Sequence, residues 1–215
     1  MKFVRQRREL VELGRQLNVG GLNQGTSGNL SVRVEGGLLV TPTGVACDRL
    51  ELEDPVEIQL DGRVAGHQRA PSSEWRIHRD LYATRDDLHA VVHVHSMFAT
   101  TLSMVGMNIP AVHYMVAVAG GHDVRCAPYA TFGTQALSDA VIEAMTGRKA
   151  CLMANHGMLA AGTTLAEALR IALEVETLAA QYWRALQIGR PNVLDDAEMA
   201  RVVEKFRTYG QPGRS

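Results

Sequence analysis

Along MKFVRQRRELVELGRQL the apolar side chains of Phe3, Leu10, Leu13 and Leu17 recur at helical spacing until Gly20 and Gly21 end the pattern, which predicts an opening helix. The period then shortens. Asn29–Val34 and Leu38–Thr41 read as strands joined through Gly36-Gly37, and a second hairpin is expected to turn at Asp61-Gly62 between Val56–Leu60 and Arg63–Ala65. Ser73 is placed to cap a helix reaching about Thr84. Ala90–His95 then alternates as a β-branched strand, and Met97–Met104 follows as a helix. Further on, Thr134–Met145 reads as helix, Ala150–Ala154 and Met158–Ala161 as strands around the turn Asn155-His156-Gly157, and Thr164–Ile188 as a long amphipathic helix. Asp195–Tyr209 closes the pattern as a last helix. No Pro/Ser-rich linker or repeat divides this order. The expectation is therefore a single domain over residues 1–215, of α/β class, with a largely antiparallel central β-sheet covered by α-helices on both sides.

Charge narrows the choice of partners. Lys and Arg number 22 against 23 acidic residues, a net charge of −1, so there is no basic field for a polyphosphate chain and no nucleic-acid partner is expected. The three cysteines, Cys47, Cys126 and Cys151, form neither a C-x-x-C pair nor a short disulfide framework, which fits a reducing cytoplasm. The N-terminal basic residues alternate with acidic and apolar ones, unlike a signal peptide. No segment approaches the ~20 apolar residues of a membrane span; the nearest is the short run from Met115 to Ala119.

Candidate chemistry begins at AVVHVHS. In a strand of period 2, His93 and His95 project to one side and Val92 and Val94 to the other. Alone, such a pair fits two half-buried surface histidines as well as a ligand pair for zinc or another transition metal. His156, in ANHG just after an apolar strand, offers a third nitrogen at a sheet end, though a turn histidine also commonly serves only as a hydrogen-bond donor. Three protein ligands with an open position are the usual form of a catalytic zinc site. The other histidines, His67, His78, His89, His113 and His122, have no such pairing and read as surface or ordinary hydrogen-bonding residues. Glu74, in PSSEW, suits the positive end of a helix, and it also suits a base that removes a carbon-bound proton beside a polarised carbonyl.

Three further segments flank predicted sheet ends: GTSGN (Gly25 to Asn29), TPTG (Thr41 to Gly44) and Ser72-Ser73. Glycine beside small hydroxyl residues lets backbone N–H groups approach a phosphate closely without an ammonium group. Neither a P-loop nor a G-x-G-x-x-G signature is present.

Taken jointly, GTSGNLSVR, TPTG, PSSEW, AVVHVHS, HYMVAVAGG, CAPYATFGT and ANHG resemble the class II aldolase and adducin family, most closely its L-fuculose-1-phosphate aldolase branch, over nearly the whole chain through EKFRTYG. The resemblance implies one Zn2+ per subunit on His93, His95 and His156. Glu74 would close the site at rest and act as the base once substrate displaces it. It implies phosphate binding by Thr26, Gly28, Asn29, Thr43, Gly44, Ser72 and Ser73. Tyr114 of a neighbouring subunit would be the acid at the aldehyde oxygen, Phe132 and Tyr209 would lie beside the aldehyde, and the assembly would be a homotetramer with active sites between subunits. The implied reaction is the reversible cleavage of a phosphorylated ketose, L-fuculose 1-phosphate first, into dihydroxyacetone phosphate and L-lactaldehyde. Other readings within the fold are a 5-deoxyribulose-1-phosphate aldolase, an L-ribulose-5-phosphate 4-epimerase, a methylthioribulose-phosphate dehydratase, and an adducin-like interaction module. The Glu at position 74 and the HYMVAVAGG stretch favour the aldolase over the epimerase, and retention of Glu74 with all three histidines speaks against a module that has lost its metal.

Overall fold

The computed structural model describes residues 1–207 apart from Ala65, His67 and Gln68. The opening helix, α1 (Val4–Val19), stops at Gly20 as the periodicity requires. Strands β1 (Asn29–Val34) and β2 (Gly37–Val40) pair antiparallel, with Val34 opposite Gly37, and β3 (Val56–Gln59) extends the sheet from β2. The return strand expected at Arg63–Ala65 shrinks, among the described residues, to one bridge between Ile58 and Val64. Val64 is exposed, so a strand there would have no core to cover. Helix α2 (Trp75–Thr84) carries a second correction: Glu74, not Ser73, occupies its N-cap position, and Ser72 Oγ accepts from the Glu74 N–H at 3.3 Å.

Next come β4 (Ala90–Val94), α3 (Met97–Met104), β5 (Arg125–Ala127), α4 (Gln135–Ala144), β6 (Ala150–Met153), β7 (Gly157–Gly162), α5 (Leu165–Ile188) and α6 (Asp196–Arg207). Thr134 and Thr164 stand just outside α4 and α5, each accepting a bond from a first-turn N–H. The seven strands form one sheet in the order β3-β2-β1-β4-β7-β6-β5, antiparallel throughout except for the β5–β6 pair. Helices cover both faces. Leu30, Val32, Val92, Val94 and Ala160 pack with α1, α3 and α5, whereas Leu38, Val40, Val91, Leu159 and Ala161 pack with α2 and α4.

Strand alternation then decides where the polar residues go. Leu30 and Val32 of β1 and Val92 and Val94 of β4 belong to the α5 face, so Asn29, Ser31 and His93 turn toward α2. Asn29 lies opposite His93 in the ladder. At this end of the sheet the start of β1, the exit of β4, the entry of α2 and the β6–β7 turn converge. In that turn Asn155 adopts φ 55°, a left-handed conformation that Asn tolerates better than most residues, and this reversal places His156 next to β4.

Candidate active site

His93, His95 and His156 meet as a triangle, each pair of ring centroids 4.9 Å apart and steeply inclined. Each owes its place to a different local cause. His93 is fixed by the ladder, and its Nδ1 donates to the Met158 carbonyl at 2.9 Å, which turns Nε2 toward the other two rings. His95 lies one residue past the end of β4, where the chain is clamped by Glu176 of α5: that carboxylate accepts from Ser96 Oγ at 2.7 Å and from the Phe98 and Ala99 N–H groups, both at 2.8 Å. His156 is carried by the turn.

Glu74 closes the cluster. Its Oε2 lies 3.1 Å from His93 Nε2 and its Oε1 3.1 Å from His156 Nε2. Asn29 Nδ2 donates to Oε2 at 3.0 Å, whereas Oε1 accepts no well-directed hydrogen bond although it is buried. Burial alone would raise the Glu74 carboxyl, but the His93 and His156 imidazoles reverse this and hold it well below the usual carboxylate range. Burial would likewise lower His93, and the Glu74 carboxylate overcomes it and raises the ring. His95 goes the other way, pushed by burial and its two histidine neighbours down to about 4.

The donor set suits a divalent metal. His93 Nε2 and His95 Nε2 stand 3.0 Å apart, so with both lone pairs inward they repel unless a cation or a proton lies between them. Zinc bonded to imidazole nitrogens at ~2.0–2.1 Å in a tetrahedral array keeps ligands roughly 3.3 Å apart, close to what is seen here. The three ligand nitrogens lie within 4.8 Å of one another.

Beside the triangle opens a cavity of about 320 Å3. Thr26, Gly28, Asn29, Thr43, Gly44, Ser72 and Ser73 all line it, together with Glu74, His95 and His156, so the structure brings the three hydroxyl-glycine segments to one place. No Lys or Arg is among the lining residues. Gly28 is required twice over: its φ is +75°, and a Cβ there would come within 2.7 Å of the His93 carbonyl. Phe132 lines the cavity mouth, 66 % exposed, and so does Tyr129, which the sequence reading did not single out. Tyr114 lies elsewhere. It opens a short 3-10 turn (Tyr114–Ala119), is 51 % exposed, stacks on His113 at 4.8 Å, and is not part of the cavity wall. Tyr209 falls outside the described residues.

One group was missed. His78, expected to be an ordinary histidine, is fully buried one helical turn after Glu74, with Nε2 2.5 Å from Asn29 Oδ1 and Nδ1 2.7 Å from Ser31 Oγ, which in turn lies 2.8 Å from the Tyr82 hydroxyl. Burial, with His93 nearby, pushes the His78 ring down to about 3. A signal for it existed: Glu74 and His78 are four apart on one helix, facing the odd positions of β1.

Comparison with known proteins places this geometry. The sequence profile of the family described as "Class II Aldolase and Adducin N-terminal domain" matches residues 8–183. A 5-methylthioribulose-1-phosphate/5-deoxyribulose-1-phosphate aldolase of Rhodospirillum rubrum is 54 % identical over 204 residues, covering 95 % of this chain and 92 % of its own length. The L-fuculose phosphate aldolase of Escherichia coli K12 is 46 % identical, with 94 % of each chain covered. A solved L-fuculose 1-phosphate aldolase superposes with a TM-score of 0.91 at 43 % identity, covering 94 % of this chain and 96 % of its own.

Proposed function

The chain belongs to the class II aldolase and adducin family, and from that premise we propose that it is a zinc-dependent aldehyde-lyase cleaving a ketose 1-phosphate into dihydroxyacetone phosphate and a short aldehyde. The observation that carries the reading is the contact of Glu74 with the His93–His95–His156 triangle at the wall of a lysine-free, hydroxyl-rich cavity. When bound on the three histidines, the ion would supply Lewis-acid stabilisation of negative charge developing on the substrate oxygens.

The residues divide the remaining work. Backbone N–H and hydroxyl groups at Thr26, Gly28, Thr43, Gly44, Ser72 and Ser73 hold the phosphate, with the second Asn29 N–H available beside them. In the dihydroxyacetone-phosphate direction Glu74 takes a proton from C3; in cleavage, after the C3–C4 bond breaks and its electron pair delocalises from C3 into the C2 carbonyl, Glu74 returns one to C3. In condensation Tyr114 of a neighbouring subunit gives its phenolic proton to the aldehyde oxygen that becomes the C4 hydroxyl, and cleavage, the reverse, returns that proton to the phenolic oxygen; within one chain Tyr114 does not line this cavity. The reading needs no Schiff base, since no lysine lines the cavity and Lys149 is tied to Glu167 at 2.7 Å.

For the aldehyde end we favour 5-deoxyribulose 1-phosphate or its 5-methylthio analogue, since the relative carrying that name is 54 % identical against 46 % for the L-fuculose phosphate aldolase. L-fuculose 1-phosphate is the second reading, supported by the superposition at TM-score 0.91. Phe132 and Tyr129 at the mouth would contact the methyl or methylthio end. The site between subunits requires an oligomer, taken here as a homotetramer of single-domain chains. Three free cysteines, and the lack among the described residues of any helix long and apolar enough to cross a membrane, support a cytoplasmic setting.

The test is a coupled dihydroxyacetone-phosphate release assay over these three substrates with L-rhamnulose 1-phosphate and L-ribulose 5-phosphate beside them. The two ribulose 1-phosphates should show the highest kcat/KM. Release from none of the panel, or conversion of L-ribulose 5-phosphate to its epimer instead, would overturn the reading.

A further inference from the structure

A carboxylate oxygen only accepts, so the Asn29 group 3.0 Å from Glu74 Oε2 is its amide N–H, and Asn29 Oδ1 therefore faces His78. A carbonyl oxygen also only accepts, so His78 Nε2 must carry the proton across their 2.5 Å contact. A single neutral imidazole has then one lone pair left, on Nδ1, and it accepts from Ser31 Oγ, whose own lone pair receives the Tyr82 hydroxyl. With His78 neutral the polarity is single, running Tyr82 to Ser31 to His78 to Asn29 to Glu74, and His78 and Ser31 are shut off from water.

We propose that His78 is a positioning residue for the Glu74 base: by fixing the Asn29 amide with its N–H toward Oε2, it anchors that oxygen and leaves Oε1 as the atom that exchanges the proton with carbon. This rests on the aldolase reading above and sharpens it to one oxygen. The two oxygens lie equally close to a histidine, Oε2 to His93 and Oε1 to His156, each at 3.1 Å, and differ in that Oε2 alone receives a directed hydrogen bond, from Asn29. Without the His78 N–H, nothing in the chain of bonds stops the amide from turning over and presenting Oδ1 to the carboxylate, an arrangement of two acceptors.

The experiment measures exchange of the C3 proton of dihydroxyacetone phosphate with solvent deuterium at saturating substrate, on metal-loaded protein. Gln can extend an amide N–H to where His78 Nε2 lies, and Leu cannot. His78→Leu should lose roughly 10–100-fold in exchange, the range seen when outer-shell partners of a site are removed, at unchanged metal content, and His78→Gln should recover most of it. A structural role alone would lower melting temperature in both variants without separating their rates. Exchange at the wild-type rate in a folded His78→Leu protein, or Gln as slow as Leu, would overturn the assignment. Should the Leu variant fail to fold, 15N-histidine NMR of the wild-type holoenzyme decides it: His78 as the Nε2–H tautomer supports the relay, and the Nδ1–H tautomer refutes it. Absence of any exchange in the wild type would instead refute the aldolase reading, and the tautomer measurement would still report on the relay.

Discussion

The two ends of the cavity differ in how completely one chain builds them. At the inner end His93 and Glu74 are 1 % and 6 % exposed, and each is held by groups from the sheet, α2 or the β6–β7 turn, with a buried polar relay behind them. At the outer end Tyr129 and Phe132 are 64 % and 66 % exposed, and Tyr114, 51 % exposed, lies elsewhere and does not touch the cavity. On the proposed reading the inner end carries the base for proton transfer at C3. The outer end has aromatic surface with one phenol, Tyr129, and lacks Tyr114, the residue to which the family resemblance gives the aldehyde oxygen. On the proposed reading the contrast teaches that half-reactions should separate, with carbon-proton exchange resting on one chain's residues and carbon–carbon cleavage on a group added at the mouth.

The strongest way to break the inner end is to remove a histidine of the triangle. His93→Ala, His95→Ala and His156→Ala should each abolish stoichiometric metal binding, measured by elemental analysis, and lower both exchange and cleavage on the order of 10³-fold or more, because several kcal/mol of charge stabilisation goes with the ion. Full metal occupancy in all three variants would remove the ligand assignment. Glu74→Gln is milder toward the metal, since an amide oxygen coordinates weakly. Exchange followed by proton NMR should drop ~10²–10⁴-fold with metal partly retained, because an amide accepts no proton at neutral pH. Wild-type exchange in that variant would exclude Glu74 as the base.

At the outer end effects should be smaller and confined to one reaction. Phe132→Ala is expected to shift the ratio of kcat/KM between L-fuculose 1-phosphate and 5-deoxyribulose 1-phosphate by about 10-fold, the scale of one methylene-sized contact, and to leave exchange unchanged. Steady-state kinetics on both substrates checks it, and an unchanged ratio would take Phe132 away from the aldehyde. The smallest effect belongs to His113→Ala. It loses the acceptor of the Met115 N–H at 3.1 Å, worth ~1 kcal/mol in a denaturation curve, with metal content unaffected.

The same contrast explains what could be read from sequence. The histidine cluster was legible in part: strand period 2 puts His93 and His95 on one side and ANHG after an apolar strand offers His156 at a sheet end, but joining all three rested on the family resemblance. The three hydroxyl-glycine segments were legible as turns, but only the fold shows that they ring one cavity. His78 carried only the weak signal of its four-residue spacing from Glu74, since a histidine on an amphipathic helix looks alike whether it meets solvent or the polar odd positions of β1. β5 escaped because three residues before Pro128 carry too little pattern, and the Asp61-Gly62 hairpin was overread because turn chemistry is present without an apolar face to hold a second strand. Tyr114 shows the outer limit: the family resemblance assigns it a role that its position in one chain neither supplies nor contradicts.

Tyr114→Phe, assayed for both reactions on one metal-loaded preparation, tests the separation most directly. Removing the phenolic hydroxyl should lower cleavage by ~10²-fold or more while exchange stays within a factor of about two of wild type. Mixing this variant with Glu74→Gln protein under subunit-exchange conditions should then restore part of the cleavage, because a hybrid site can combine an intact Glu74 from one chain with an intact Tyr114 from the next. Equal loss of exchange and cleavage in Tyr114→Phe, or no recovery at any mixing ratio, would contradict the account.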